Sequence, residues 1–408
     1  VTTAQQLLQR GLNALDPWLD AVFPIATALI CARQRLAGYS LLVIYLLLRL
    51  LQRSDREPWR WILISLLIVN AGLIIEDRDL RPGGPSDYLI VALSFAAGFQ
   101  RTKEQWIRGL LWMCSCILPL LVLSLAAGDK LIEGTSSFSG FNINKLGFLA
   151  GLLTVLSYGW LRQAKSITNK CLAITALGFG ITEALLTQSR ASLAVPLLAI
   201  IVDLAISRRW TLKQLLATGA LCLTLTSGAM YSWYFHTDTT YNLGTDYRLG
   251  ELNRAETIQC WFQTTARSSR GVWLGLGYGK PAQEQCGPER IPSLRKMEKS
   301  EGLQHAHNFY AQIFTESGIG GLILAAGLTM AGFRKAWNQH NHATQGFTLP
   351  LMIYLTLMAL GITYWQVMMI NQVLVGYSLA ALTATDRDPS AADAAIPGTP
   401  SDANASRG

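Results

Sequence analysis

Residues 307–333, HNFYAQIFTESGIGGLILAAGLTMAGF, set the fold class. The run opens on a histidine and an amide, then stays apolar for longer than the roughly 20 residues a helix needs to cross a hydrocarbon core. Unpaired backbone N–H and C=O groups cannot face lipid, so a spanning run of this kind has to be helical. Similar runs lie near 17–32, 36–52, 58–75, 86–100, 105–127, 143–161, 169–187, 190–207, 212–233, 346–364 and 367–384. Together they predict an all-α polytopic membrane protein with about twelve transmembrane helices. Composition agrees: of 408 residues 50% are hydrophobic and 15% charged, too apolar for a string of ordinary soluble domains.

The spacing of the runs divides the chain into residues 1–233 with spans one to nine, a loop over 234–306 containing a helical segment, and residues 307–385 with spans ten to twelve. Residues 386–408, rich in Ala, Pro, Ser and Asp, are expected to form a disordered tail. The first run is followed by further spans and lacks a small-residue cleavage pattern, so it is expected to stay as an anchor. Lys and Arg set the orientation. The set of short connections containing Arg49, Arg101, Arg162, Arg208 and Arg334 holds fifteen of them, against seven in the opposite set. The richer side is expected to be cytoplasmic, with both termini, which leaves 234–306 and His307 outside. The net charge of +8 is thus a topology signal, and no nucleic-acid-binding motif accompanies it.

Several polar features on the expected outer face admit two readings. Glu76, Asp77 and Asp79 alternate with Arg78 and Arg81, so the loop is either an acidic metal site or, as the competing arginines favour, a self-neutralised turn. Lys145, beside Asn142 and Asn144 at the start of a span, suits either a lipid phosphate or a snorkelling position. Arg190 stands in the short turn TQSRAS between two spans, where a guanidinium is costly unless paired or wet. An anion site is the sharper reading, snorkelling the plainer one, and Glu183 two turns earlier is a candidate partner. Within 234–306, residues from Arg254 to Arg267 are expected to form a helix with Ile258, Trp261 and Phe262 on an apolar stripe, able to lie on the membrane as a lid. A Gly-rich turn, Gly275, Gly277 and Gly279, follows. Cys260 and Cys286 fall in the same loop, where an oxidising compartment would permit a disulfide without requiring one.

Arg190, Arg254 and His307 are remote in sequence yet share the expected outer face. Two guanidiniums can neutralise a diphosphate through paired hydrogen bonds, and an imidazole can take a proton from a hydroxyl. With these residues the chain resembles the bacterial O-antigen ligases (WaaL-type), together with the related O-antigen polymerases and protein O-oligosaccharyltransferases. The family pattern of His, an amide or Ser, nine residues and Gly-x-Gly is met by His307, Asn308, FYAQIFTES, Gly318, Ile319 and Gly320. Ser189–Arg190 matches the upstream pair, and Arg254 ahead of Gly275 and Gly277 matches the loop arginine.

The resemblance implies a metal-independent, GT-C-like glycosyltransferase with no cofactor. It would move O-antigen glycan from undecaprenyl diphosphate to lipid A-core in lipopolysaccharide biosynthesis, at the periplasmic face of a bacterial inner membrane. In that scheme Arg190 and Arg254 bind the leaving diphosphate, His307 activates the acceptor hydroxyl beside Asn308, and Arg248 and Lys145 are secondary phosphate contacts. Arg248 competes with Arg254 for one family position; spacing favours Arg254. A polymerase or protein O-oligosaccharyltransferase uses the same donor. A lipid-linked glycan flippase is the rival from another class, but residues 1–200 and 201–408 show no self-similarity of the kind transporter repeats leave.

Overall fold

The computed structural model describes residues 35–51, 143–186, 190–207, 243–277, 280–296, 305–339 and 348–361, with scattered helical positions between 11 and 29, 109 and 126, and 211 and 220. The expected spans near 58–75, 86–100 and 367–384, the Glu76 to Asp79 loop and the tail lie outside the described residues. What is described is helical, with no strand among the described residues. In chain order the helices are α1 (Arg35–Leu51), α2 (Ile143–Gln163), α3 (Ile167–Leu186), α4 (Arg190–Ser207), α5 (Leu243–Ala266), α6 (Ser269–Leu274), α7 (Lys280–Gln285), α8 (Pro292–Lys296), α9 (Phe309–Gln339) and α10 (Thr348–Gly361).

Helices α2, α3 and α4 form a bundle whose directions follow from named contacts. The connection 164–166 turns α3 back along α2, and Gly180 approaches so closely that a Cβ there would meet Thr154 Oγ1 at 2.6 Å and the Ala150 carbonyl at 3.0 Å. Only a hydrogen fits between these two backbones. At the other end Asp203, 2% exposed, accepts from Tyr158 Oη at 2.6 Å and from Arg162 at 2.5 Å, so the C-terminal ends of α2 and α4 lie together. Lys145 and Arg190 therefore open their helices at one end of this bundle, and Arg162 closes the opposite end. Helix α10 packs on α4 and α2, where the buried Tyr354 donates to the Phe148 carbonyl at 2.6 Å. Large apolar side chains are exposed on these helices and on α9: Ile174 on α3, Leu198 on α4, Ile323 and Met330 on α9. Helices apolar on both their packed and exposed faces are what a lipid surround produces.

Helix α9 departs from the sequence expectation. Phe309–Asn338 is apolar and long enough to cross a membrane, but the run is broken at Gly318, with φ 66° and ψ −161°. In a straight helix Tyr310 and Thr329 would stand about 28 Å apart along the axis. Their hydroxyls are instead 3.0 Å apart, and the Thr329 hydroxyl already donates to the Ala325 carbonyl, so Tyr310 is the donor. A Cβ on Gly321 would likewise lie 3.0 Å from the Ile313 side chain. The chain folds back at Gly318 into two arms, 309–317 and 319–339. The second arm, about 31 Å long, still matches a hydrocarbon core, whereas the expected span over 307–333 assigned the first arm to the membrane as well.

Helices α5 to α8 build a separate small core from Cys260, Trp261, Ala282, Cys286, Ile291 and Leu294, joined by Ala306 and Ala311. Cys260 and Cys286 are disulfide-bonded, with Cα atoms 5.9 Å apart, which settles a pairing left open above. The Glu256 carboxylate accepts from Ser293 N at 3.0 Å and Ser293 Oγ at 2.6 Å, capping α8 from α5. Trp261 is fully buried and Phe262 stacks on Phe314 at 4.6 Å. Of the stripe expected to lie on a membrane, Trp261 is taken into this core and Ile258 packs partly against it, while Phe262 stays 42% exposed beside its stack. Closing a loop of this length by a disulfide contributes about 3 kcal/mol. Intact mass should rise by the two hydrogens of one reduced disulfide on treatment with reductant, an increment absent from Cys260→Ala; reduction should also lower the unfolding temperature of the native protein, and an unchanged unfolding temperature would show that the disulfide does not stabilise this core.

Candidate functional site

The His307–Asn308 corner lies where the small core meets the helices. His307 has φ 55°, the only positive value at a non-glycine among the described residues. This left-handed conformation is uncommon and usually held by its surroundings. Both neighbours are anchored. Ala306, buried in the small core, donates its N–H to Gln312 Oε1 at 2.8 Å. Asn308 caps the first arm of α9 by accepting the Ala311 N–H at 2.9 Å, and its amide donates to the Leu360 carbonyl on α10, also at 2.9 Å. The imidazole between them is only partly buried, as a group that exchanges protons with a substrate requires.

The corner is supported by the hairpin of α9 through an interlock of glycines. Breaking a helix frees carbonyls at the break. Those of Thr315 and Glu316 are taken by Leu276 N at 2.7 Å and Gly277 N at 3.2 Å, from the turn after α6. Backbone meets backbone: a Cβ on Gly275 would lie 2.4 Å from the Glu316 carbonyl, and one on Gly318 2.5 Å from the Trp273 carbonyl. Gly275 (φ 79°, ψ 178°) and Gly318 also occupy a region of backbone space open almost only to glycine. The two Gly-x-Gly stretches noted in the sequence are therefore the two halves of one clasp, a role that neither shows alone. It also accounts for Gly275 and Gly277 of that turn by backbone contact.

The other sequence-predicted residues are positioned by their helices. Arg254 is exposed on α5, in line with Trp261 and about 10 Å toward the N-terminus, so it projects beyond the edge of the small core on the helix that packs against the first arm of α9. Arg248, six residues earlier, stands about 120° away around the same helix. Arg190 opens α4 and Lys145 lies in the first turn of α2; for these two, as for Arg248, the structure describes the helical position and not the side chain. Ser189, Asn142 and Gly279 lie outside the described residues. Glu183 is fully buried on α3, in the turn before that helix ends. Sequence reasoning missed Gln312, which is 0% exposed and anchors Ala306, although an amide four residues after Asn308 on an apolar arm was a visible signal.

Residues 172–326 match the family model for O-antigen ligase. The match supports a place in the O-antigen ligase superfamily. The match runs from α3 into the second arm of α9, and so takes in Arg190, Arg248, Arg254, the clasp and the His307 corner, but not Lys145. Among curated proteins none matches the chain.

The clasp makes a contrast that unfolding experiments can read. Gly275→Ala and Gly318→Ala should each cost about 3 kcal/mol or more, from glycine-only backbone and a contact no Cβ tolerates. Gly178→Ala and Gly327→Ala, where nothing lies within 4 Å, should be neutral or slightly stabilising. Equal unfolding temperatures for the two groups would contradict the interlock.

Proposed function

We propose that the protein is an O-antigen ligase of the bacterial inner membrane, which transfers glycan from undecaprenyl diphosphate to a sugar hydroxyl of lipid A-core at the periplasmic face. The observation that carries this reading is the His307 corner: an accessible imidazole held by anchored neighbours, inside the segment that matches the family. In the proposed reaction the acceptor hydroxyl gives its proton to His307 as its oxygen attacks the anomeric carbon. The bond from that carbon to the diphosphate oxygen breaks, and undecaprenyl diphosphate leaves with the electron pair. His307 then returns its proton to water. Arg190 and Arg254 neutralise the charge that grows on the leaving diphosphate, with Arg248 and Lys145 as further contacts to lipid phosphate. These cations supply the electrostatic stabilisation that a divalent metal provides in other glycosyl transfers, so the reaction is proposed to be metal-independent. The twelve-span plan, cytoplasmic termini and a periplasmic 234–306 loop belong to the same reading and rest on the charge asymmetry of the connections.

Within the superfamily an O-antigen polymerase has the same donor and differs in its acceptor. The test begins with the residues that both reactions need. Folded His307→Ala should lose transfer by about 1000-fold or more, the scale of a missing general base with its alignment. Arg254→Lys and Arg190→Lys should each lose about tenfold or more, because an ammonium does not reproduce the two-pronged guanidinium contact. Transfer by purified His307→Ala at the wild-type rate would remove the base, and full activity of both lysine variants would reduce the arginines to simple charges.

A further inference from the structure

Gln312 and Glu316 sit one turn apart on the first arm of α9 and are 0% and 3% exposed. Between them they join the clasp to the residue before the histidine. The Gln312 amide donates through Nε2 to the Glu316 carboxylate, and its Oε1 accepts the N–H of Ala306, directly before His307, at 2.8 Å. The Glu316 side chain accepts from Nε2, and this contact decides which way the Gln312 amide points. With Nε2 turned to Glu316, Oε1 is presented to Ala306. The backbone carbonyl of Glu316 is held in turn by Gly277 of the clasp. A continuous chain of contacts thus runs from the Gly275–Gly318 interlock through Glu316 and Gln312 to the N–H of Ala306, the residue directly before His307.

We infer that Gln312 and Glu316 are positioning residues that hold His307 in its left-handed conformation, and so set the angle at which the imidazole meets an acceptor hydroxyl. The inference rests on the reading of His307 as the base. A left-handed histidine costs on the order of 1 kcal/mol relative to ordinary backbone, so without the Ala306 tether the corner relaxes. Displacement of a catalytic group by about 1 Å is enough to slow a reaction about 100-fold while leaving donor binding to other residues. Glu316, nine residues from His307 and about 10 Å along the first arm from Phe309, acts through Gln312 and the backbone.

The experiment is a steady-state comparison in the full-length protein with lipid-linked glycan donor and lipid A-core. Gln312→Met keeps volume and removes both hydrogen bonds; kcat should fall by about 10- to 100-fold, with donor KM within about threefold of wild type. The double variant Gln312→Glu with Glu316→Gln reverses the pair: the new carboxylate accepts from both Ala306 and the new amide, and kcat should return to within about threefold of wild type. Disulfide content and unfolding temperature report folding for each. Wild-type kcat in Gln312→Met, or a folded reversed pair that stays slow, would overturn the positioning role. If Gln312→Met does not fold, the reversed pair decides alone. Turnover by folded His307→Ala would remove the base and the positioning role together, whereas an inactive His307→Ala beside a fully active Gln312→Met would remove positioning only.

Discussion

Everything that can be said of the site depends on the contact between two stretches of backbone with no side chains between them. Gly275 and Gly318 each occupy space that a single added carbon would fill, and the N–H groups of Leu276 and Gly277 take the carbonyls that the reversal of α9 leaves unpaired. A helix reversal in an otherwise apolar chain exposes polar backbone, and such groups need partners wherever water is scarce. The turn after α6 provides them. Without it the first arm of α9 has no reason to fold back, and the His307 corner has no fixed position.

The disulfide-bonded core serves the same end from the other direction. It is small, and a core of this size holds together poorly on apolar contacts alone. The bond between Cys260 and Cys286, the Glu256 cap on α8 and the buried Trp261 make it rigid enough to grip α9, through the Phe262–Phe314 stack and the Ala306 and Ala311 contacts. At the far end of the α2–α4 bundle, Tyr158, Arg162 and Asp203 tie two helices together without taking part in the corner.

How much of this was legible in the sequence differs by element. The bundle helices were, because long apolar runs have one answer in lipid: α2, α3 and α4 begin and end within a few residues of the expected spans 143–161, 169–187 and 190–207. The reversal of α9 was not, since hydrophobicity is blind to direction and Gly318 looks like any glycine of an apolar helix until its φ is known. His307, Asn308 and the glycines stood out as a pattern, but the pattern alone did not tell that Gly275 and Gly318 touch. The amide of Gln312 stood in view on an apolar arm, but its tie to Ala306 and Glu316 could be read only once the three were seen together. The fate of Trp261 was misjudged because an apolar position on a helix fits a membrane surface and a protein core equally well; its neighbour Phe262 does stay exposed.

The central claim is that this corner joins glycan to lipid A-core at the expense of a lipid diphosphate. The most direct measurement is product analysis with purified wild-type protein, undecaprenyl-diphosphate glycan and lipid A-core, with and without EDTA. Glycan attached to lipid A-core at equal rates in both is the result expected. Lengthened lipid-linked glycan with lipid A-core untouched would instead identify a polymerase and contradict the acceptor assignment, and loss of transfer in EDTA would contradict the assignment of charge stabilisation to the arginines alone.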